Sequence, residues 1–121
     1  MASFGGTWGL TWAPVATYGT PSDPLRFTCS REGPVQIELI QDAERARRMR
    51  PRPPLDHMAY WVEDIIAAGN RLVTDGFTPE VTDGRFAYLR SPTGLRIELM
   101  DVAVKPGWDR WLDGAPLNLG G

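Results

Sequence analysis

Cysteine and histidine are scarce in this chain, which has one of each among 121 residues. A lone Cys29 cannot close an internal disulfide, and it lacks the spacing of a zinc motif or a redox pair. We interpret it as a small strand residue. His57 is therefore the one imidazole that the chain can contribute to a metal site or to catalysis.

Long apolar runs and an excess of basic charge are also missing. No segment approaches the roughly 18 apolar residues needed to span a bilayer, and the start Met-Ala-Ser-Phe-Gly-Gly does not resemble a secretory signal. The formal net charge of −2 argues against a broad nucleic-acid surface, which needs clustered Lys and Arg. We therefore expect a cytoplasmic protein that binds neither membrane nor nucleic acid.

A short motif occurs twice in the chain. Ile37-Glu38-Leu39 and Ile97-Glu98-Leu99 lie 60 residues apart, and each follows a glycine turn and an Arg-Phe pair, Arg26-Phe27 or Arg85-Phe86. Repeats at one offset are usually supersecondary units that bury a face against each other. With 42% hydrophobic residues in a chain of this length, the repeat predicts one domain built from two related modules.

The second copy, residues 55–101, is complete. Alternating and β-branched residues predict a strand over 55–62, and Glu63-Asp64 begins a helix that runs to about Asp75 and ends at Gly76. Hairpin signals at Asp83-Gly84 and at 92–94 separate three further strands. These strands are expected at 78–82, 85–91 and 95–101, so the module is β-α-β-β-β.

The first copy, within residues 1–54, is shorter. The counterpart of His57 would precede Met1, and residues 5–16 are too rich in glycine and proline for a helix. We predict strands at 7–18, at 23–29 and through the Ile-Glu-Leu motif, followed by a linker with a short basic helix at 42–49. The tail, 102–121, carries Trp108 and Leu112 at helical spacing, so a short helix there would pack on an apolar surface or fill the place of the missing helix.

Residues 55–64 and 91–101 resemble the second module of the vicinal oxygen chelate superfamily. That group includes glyoxalase I, methylmalonyl-CoA epimerase, extradiol dioxygenases and bleomycin-resistance proteins. The resemblance implies an α+β fold in which paired β-α-β-β-β modules form a curved mixed sheet or cup, here with a first module that lacks its opening strand and helix. It also implies a metal bound by His57, Glu98 and Glu38. The family's fourth ligand, a histidine that opens the first module, has no match in this chain.

The chemistry of these side chains agrees with that assignment. Strand alternation turns Glu38 and Glu98 away from their flanking Ile and Leu, and two buried carboxylates repel each other unless a cation or protons intervene. One imidazole and two carboxylates suit Zn, Ni, Co, Mn, Fe or Mg. We expect Glu38 and Glu98 to be catalytic, with Glu38 the better candidate for the general base. The predicted substrate-binding residues are Trp61, Tyr88, Trp12, Phe86, Arg96 and Gln36.

The same residues also have ordinary structural interpretations. His57 would be a hydrogen-bonded strand residue, the two glutamates would face solvent and pair with Arg90 or Arg96, and the tryptophans would belong to the core.

Three functions follow from these interpretations. The first is a glyoxalase-like metal-dependent lyase, isomerase or epimerase that acts on a small oxygenated metabolite through enolate stabilisation. The second is a non-catalytic small-molecule or drug-binding protein of the resistance type. The third is a scaffold whose sheet edges serve only subunit assembly. Under all three, the unprotected sheet edge of a shortened module predicts a homodimer.

Overall fold

The computed structural model describes residues 9–20, 22–33, 35–41 and 55–120. In chain order the elements are β1 (Ala16–Thr20), β2 (Asp23–Cys29), β3 (Glu38–Gln41), β4 (Met58–Val62), α1 (Ile65–Thr74), β5 (Thr78–Thr82), β6 (Phe86–Arg90), β7 (Arg96–Asp101), a 3-10 helix (Val102–Val104) and α2 (Lys105–Leu112). The predicted α+β class is confirmed. The predicted basic helix at 42–49 lies outside the described residues. No helix in the described ranges is long and apolar enough to cross a membrane.

The chain divides into two compact units, each containing one sheet. The first unit comprises residues 1–52, 107–119 and 121, and the second comprises residues 53–106 and 120. In this division most of the tail helix α2 belongs to the first unit. That the units form one domain with a shared cup stays a prediction.

The first unit contains an antiparallel sheet in the order β1-β2-β3. The predicted strand at 23–29 matches β2, but the strand predicted over 7–18 was wrong for residues 9–15. There Trp12 makes only an isolated bridge to Ser30. Gly9 has a φ of 68° and Pro14 has no backbone N–H, so neither residue suits a regular strand. The third strand begins at Glu38, and residues 35–37 before it are exposed.

The tail helix α2 packs on the first sheet, as its spacing predicts. Trp111 is completely buried, and its indole Nε1 donates a 2.7 Å hydrogen bond to the carbonyl oxygen of Pro14. Its ring meets Phe27 edge-on at a centroid distance of 5.2 Å. Trp108 and Leu112 pack around the same cluster. The tail therefore contributes core residues to the first unit.

The second unit is the β-α-β-β-β module that the sequence predicts. Its sheet has the order β4-β7-β6-β5, with β4 parallel to β7 and the other pairs antiparallel. The side chain of Asp64 caps α1 by accepting a 3.0 Å hydrogen bond from the backbone N–H of Ala67, and Gly76 follows the helix with a φ of 94°. One face of the sheet packs on this helix through the buried cluster Ile65, Ala68, Ala87, Leu89 and Leu99.

Candidate functional site

A polar face covers the side of the second sheet that lies opposite α1. Glu98, in the middle of β7, is paired with Ala59 of β4 and with Tyr88 of β6, while Arg96 is paired with Arg90. Side chains alternate along a strand, so Glu98 and Arg96 point away from the helix that Leu99 contacts. The register thus brings charged and aromatic side chains of three strands together.

His57 and Glu98 form a buried pair on this face. His57 lies one residue before β4, and its Nε2 is 3.1 Å from Oε1 of Glu98. The side chains are only 7% and 9% exposed, respectively. The structure therefore brings these two predicted site residues together, although they are 41 positions apart in the sequence.

A second carboxylate contacts the other ring nitrogen of His57. Its Nδ1 is 2.7 Å from Oδ2 of Asp56, and the same oxygen accepts a 2.8 Å hydrogen bond from Nη1 of Arg96. Arg96 in turn donates through Nε to Glu80 at 2.9 Å, and Glu80 also accepts from Arg90 at 3.0 Å. These contacts do not pair Glu98 with an arginine. Arg96 binds Asp56 and Glu80, and Arg90 binds Glu80.

The sequence reasoning missed Asp56 and Glu80. Asp56 had a visible signal, because it directly precedes the only histidine. Glu80 had none, because its contact with Arg96 depends on an irregular register between Pro79 and Val81 in the pairing of β5 with β6.

The paired carboxylates change the acid–base behaviour of the site. Burial lowers the pKa of His57, but the hydrogen bonds to Glu98 and Asp56, together with their negative charges, outweigh it, and the net pKa is raised above its ordinary value. Hydrogen bonds from Arg90 and Arg96 lower the pKa of Glu80, against a smaller opposing effect of burial. The two carboxylates therefore stabilise the charged form of the imidazole relative to its neutral form.

Tyr88 packs between the histidine and the arginine. Its ring meets the His57 ring edge-on, at a centroid distance of 5.2 Å and an interplanar angle of 87°. The Cζ atom of Arg96 lies 4.2 Å from the centroid of the Tyr88 ring. Such a cation–π contact favours a fixed guanidinium position. Trp61 and Phe86, both partly buried, are the strand partners of Met100 and lie farther along the same face.

Three predicted site residues lie in the first unit. Glu38 opens β3, is partly buried, and is paired with Cys29 on the face that carries Ile40 and Phe27. Gln36 is exposed just before β3, and Trp12 is partly buried at its bridge to Ser30. Their participation in one site with His57 and Glu98 stays a prediction.

The His57–Glu98 pair fits two positions of a metal site. Donor atoms about 2.1 Å from a metal and at right angles to each other lie about 3 Å apart, close to the 3.1 Å between Nε2 and Oε1. A metal-binding histidine also commonly donates its other N–H to a carboxylate, as His57 can to Asp56. Within the described ranges, no group of three His, Cys, Asp or Glu side chains is arranged to hold a metal ion, so further donors would have to come from elsewhere.

The sequence of the chain resembles one known protein family. The family model of the Glyoxalase/Bleomycin resistance protein/Dioxygenase superfamily matches residues 1–93. Among solved structures, the trypanothione-dependent glyoxalase I of Leishmania major is 19% identical over 81% of this chain and 73% of its own, with a TM-score of 0.38. None of the curated proteins compared with the chain matches it. The family model spans most of the chain, and the chain therefore belongs to the Glyoxalase/Bleomycin resistance protein/Dioxygenase superfamily, the vicinal oxygen chelate proteins.

Proposed function

We propose that this protein is a glyoxalase-like, metal-dependent lyase, isomerase or epimerase that acts on a small oxygenated metabolite. The buried pair of His57 and Glu98 carries the proposal, because an imidazole nitrogen and a carboxylate oxygen meet at the spacing of neighbouring metal ligands. Membership of the superfamily supports it as well. In this family the same strand positions supply metal ligands, as the sequence resemblance implies.

Each residue has a distinct role in the proposed reaction. Nε2 of His57 and the carboxylate of Glu98 would hold the divalent cation, and other donors would fill its remaining positions. When bound, such an ion stabilises the negative charge that develops on a substrate oxygen as a proton leaves the neighbouring carbon. Glu38 would accept that proton as the general base, and Glu98 would keep its place through its contact with His57. A general base must lie within hydrogen-bond reach of the proton that it removes.

The aromatic side chains suit a small substrate. Trp61 and Phe86 flank Met100 on the polar face, and Tyr88 is held beside His57. Small-molecule sites combine such apolar walls with a few oriented polar groups. These residues would enclose the carbon skeleton, while the substrate's oxygen atoms face the His57–Glu98 pair.

Metal analysis of protein purified without a histidine tag tests the proposal. We expect about one divalent ion per chain, lost in His57→Ala and in Glu98→Gln and removed from the wild-type protein by EDTA. Glu63→Gln is the matched control, because Glu63 is an exposed carboxylate outside the network. A wild-type protein that stays metal-free when titrated with Zn, Ni, Co, Mn, Fe and Mg would refute the proposal.

A non-catalytic binding protein of the resistance type is the second candidate. The three aromatic side chains on the polar face favour it, because they offer ring surfaces to a planar ligand without any chemical step. Tight binding of a planar compound that EDTA does not change, and that Trp61→Ala weakens while His57→Ala does not, would support this candidate over the enzyme.

A further inference from the structure

The two ring nitrogens of His57 compete for one proton. A neutral imidazole carries hydrogen on one nitrogen only, and the other nitrogen supplies the lone pair that binds a cation. Asp56 is 2.7 Å from Nδ1, whereas Glu98 is 3.1 Å from Nε2. Hydrogen bonds to charged acceptors shorten as they strengthen, so the distances favour the proton on Nδ1.

Asp56 is itself held in place by the network. Arg96 donates to the same oxygen, Oδ2, that contacts His57, and its other contacts are the Glu80 carboxylate and the Tyr88 ring. Arg96 is only 11% exposed. A carboxylate bonded to both a histidine and a buried arginine cannot rotate without losing two charge-assisted hydrogen bonds.

We propose that Asp56, anchored by Arg96, is a positioning residue that keeps a proton on Nδ1 of His57 and directs the Nε2 lone pair toward Glu98 and a bound cation. This role rests on the proposed metal-dependent function. It gives Arg96 a task within the protein, orienting Asp56, in place of the substrate contact that the sequence predicts. The binding nitrogen is then selected before the cation arrives.

Because the chain has one histidine, its imidazole signals in an NMR spectrum belong to His57 and need no resonance assignment. Long-range ¹H–¹⁵N correlation spectra of the metal-free protein are recorded at alkaline pH, where the ring is neutral. We expect the Nδ1–H form in the wild type. Asp56→Asn keeps the shape, and its amide oxygen must face Arg96, which can only donate, so the same oxygen also faces Nδ1. This neutral acceptor competes less well for the ring proton than the charged Glu98 does, which favours the Nε2–H form. Glu63→Gln is the control, because Glu63 is an exposed carboxylate outside the network, and it should retain the wild-type tautomer.

A Zn²⁺ competition titration then measures the consequence for binding. Loss of the carboxylate that hydrogen-bonds to a metal-binding histidine typically weakens metal affinity by about 10- to 100-fold. We therefore expect the Kd for Zn²⁺ to rise by about that factor in Asp56→Asn. The Kd of the control Glu63→Gln should stay close to that of the wild type. The tautomer of His57 is measured on the wild-type protein alone, so that part of the test remains valid even if Asp56→Asn does not fold.

The outcomes separate this inference from the proposed function. An Nε2–H ring in the wild type, or an unchanged Zn²⁺ affinity in a folded Asp56→Asn, overturns the role of Asp56 while metal binding by the wild type still supports the enzyme. An Nδ1–H ring in a protein that binds none of the six divalent metals overturns the proposed function, and the positioning role for a cation with it.

Discussion

Replacing Glu98 by glutamine removes one charge from the buried pair and leaves its shape almost unchanged. At the 3.1 Å between Nε2 of His57 and Oε1 of Glu98, two unit charges attract by about 5 kcal/mol at an effective dielectric constant of about 20. Most of this attraction offsets the desolvation of the two groups. The net value of a hydrogen bond to a charged group is about 1.5–3 kcal/mol. We expect Glu98→Gln to lower the free energy of unfolding of the metal-free protein by that amount when His57 is protonated.

The effect has a definite pH dependence. Because the folded state raises the pKa of His57, the folded protein binds this proton more tightly than the unfolded chain does. The stabilisation is therefore complete below the unfolded pKa of about 6.5 and is lost as the pH rises through the raised folded value. The difference between wild type and Glu98→Gln should shrink in the same direction, because the variant lacks one cause of the raised pKa.

Urea unfolding followed by far-UV circular dichroism measures this difference. The curves are recorded in the presence of EDTA from about pH 5.5, above the range where most carboxylates titrate, to about pH 9. A double-mutant cycle with His57→Gln isolates the pairwise energy. A difference that stays constant over this range, or one that grows with pH, would show that Glu98 does not stabilise a charged His57.

Three further predictions concern the rest of the molecule. Trp111→Phe should cost about 1–3 kcal/mol in urea unfolding, because the Pro14 carbonyl loses its buried donor. Cys29 should react with a thiol reagent only after unfolding, as burial and then the charge of Glu38 raise its pKa to about 12; rapid labelling of the native protein would contradict this. Light scattering should show a homodimer at micromolar concentration, since β4 is an edge strand that exposes Met58 and Tyr60, and a monomer peak would refute it.

Local signals were enough to place the elements of the second module. Alternation, the Asp64 cap and the glycine turns act over a few residues, so α1 and strands β5 to β7 appear within a few positions of their expected bounds. The same signals misplaced the first strand, because Gly9 and Pro14 interrupt an alternating pattern that is otherwise typical of a strand. The assignment of His57 and Glu98 to one site came from the family resemblance and the direction of the strand residues.

The network around the histidine depends on register and on long-range pairing, which local patterns do not contain. Arg96 contacts Asp56 and Glu80 because β7 is parallel to β4 and antiparallel to β6, which carries Arg90 opposite Arg96. A one-residue shift would turn these side chains to the other face. The residue types on the chain were sufficient to identify an imidazole and a carboxylate as candidates. Which nitrogen meets which carboxylate was decided when distant strands paired, since that pairing sets the distances over which charges and hydrogen bonds act.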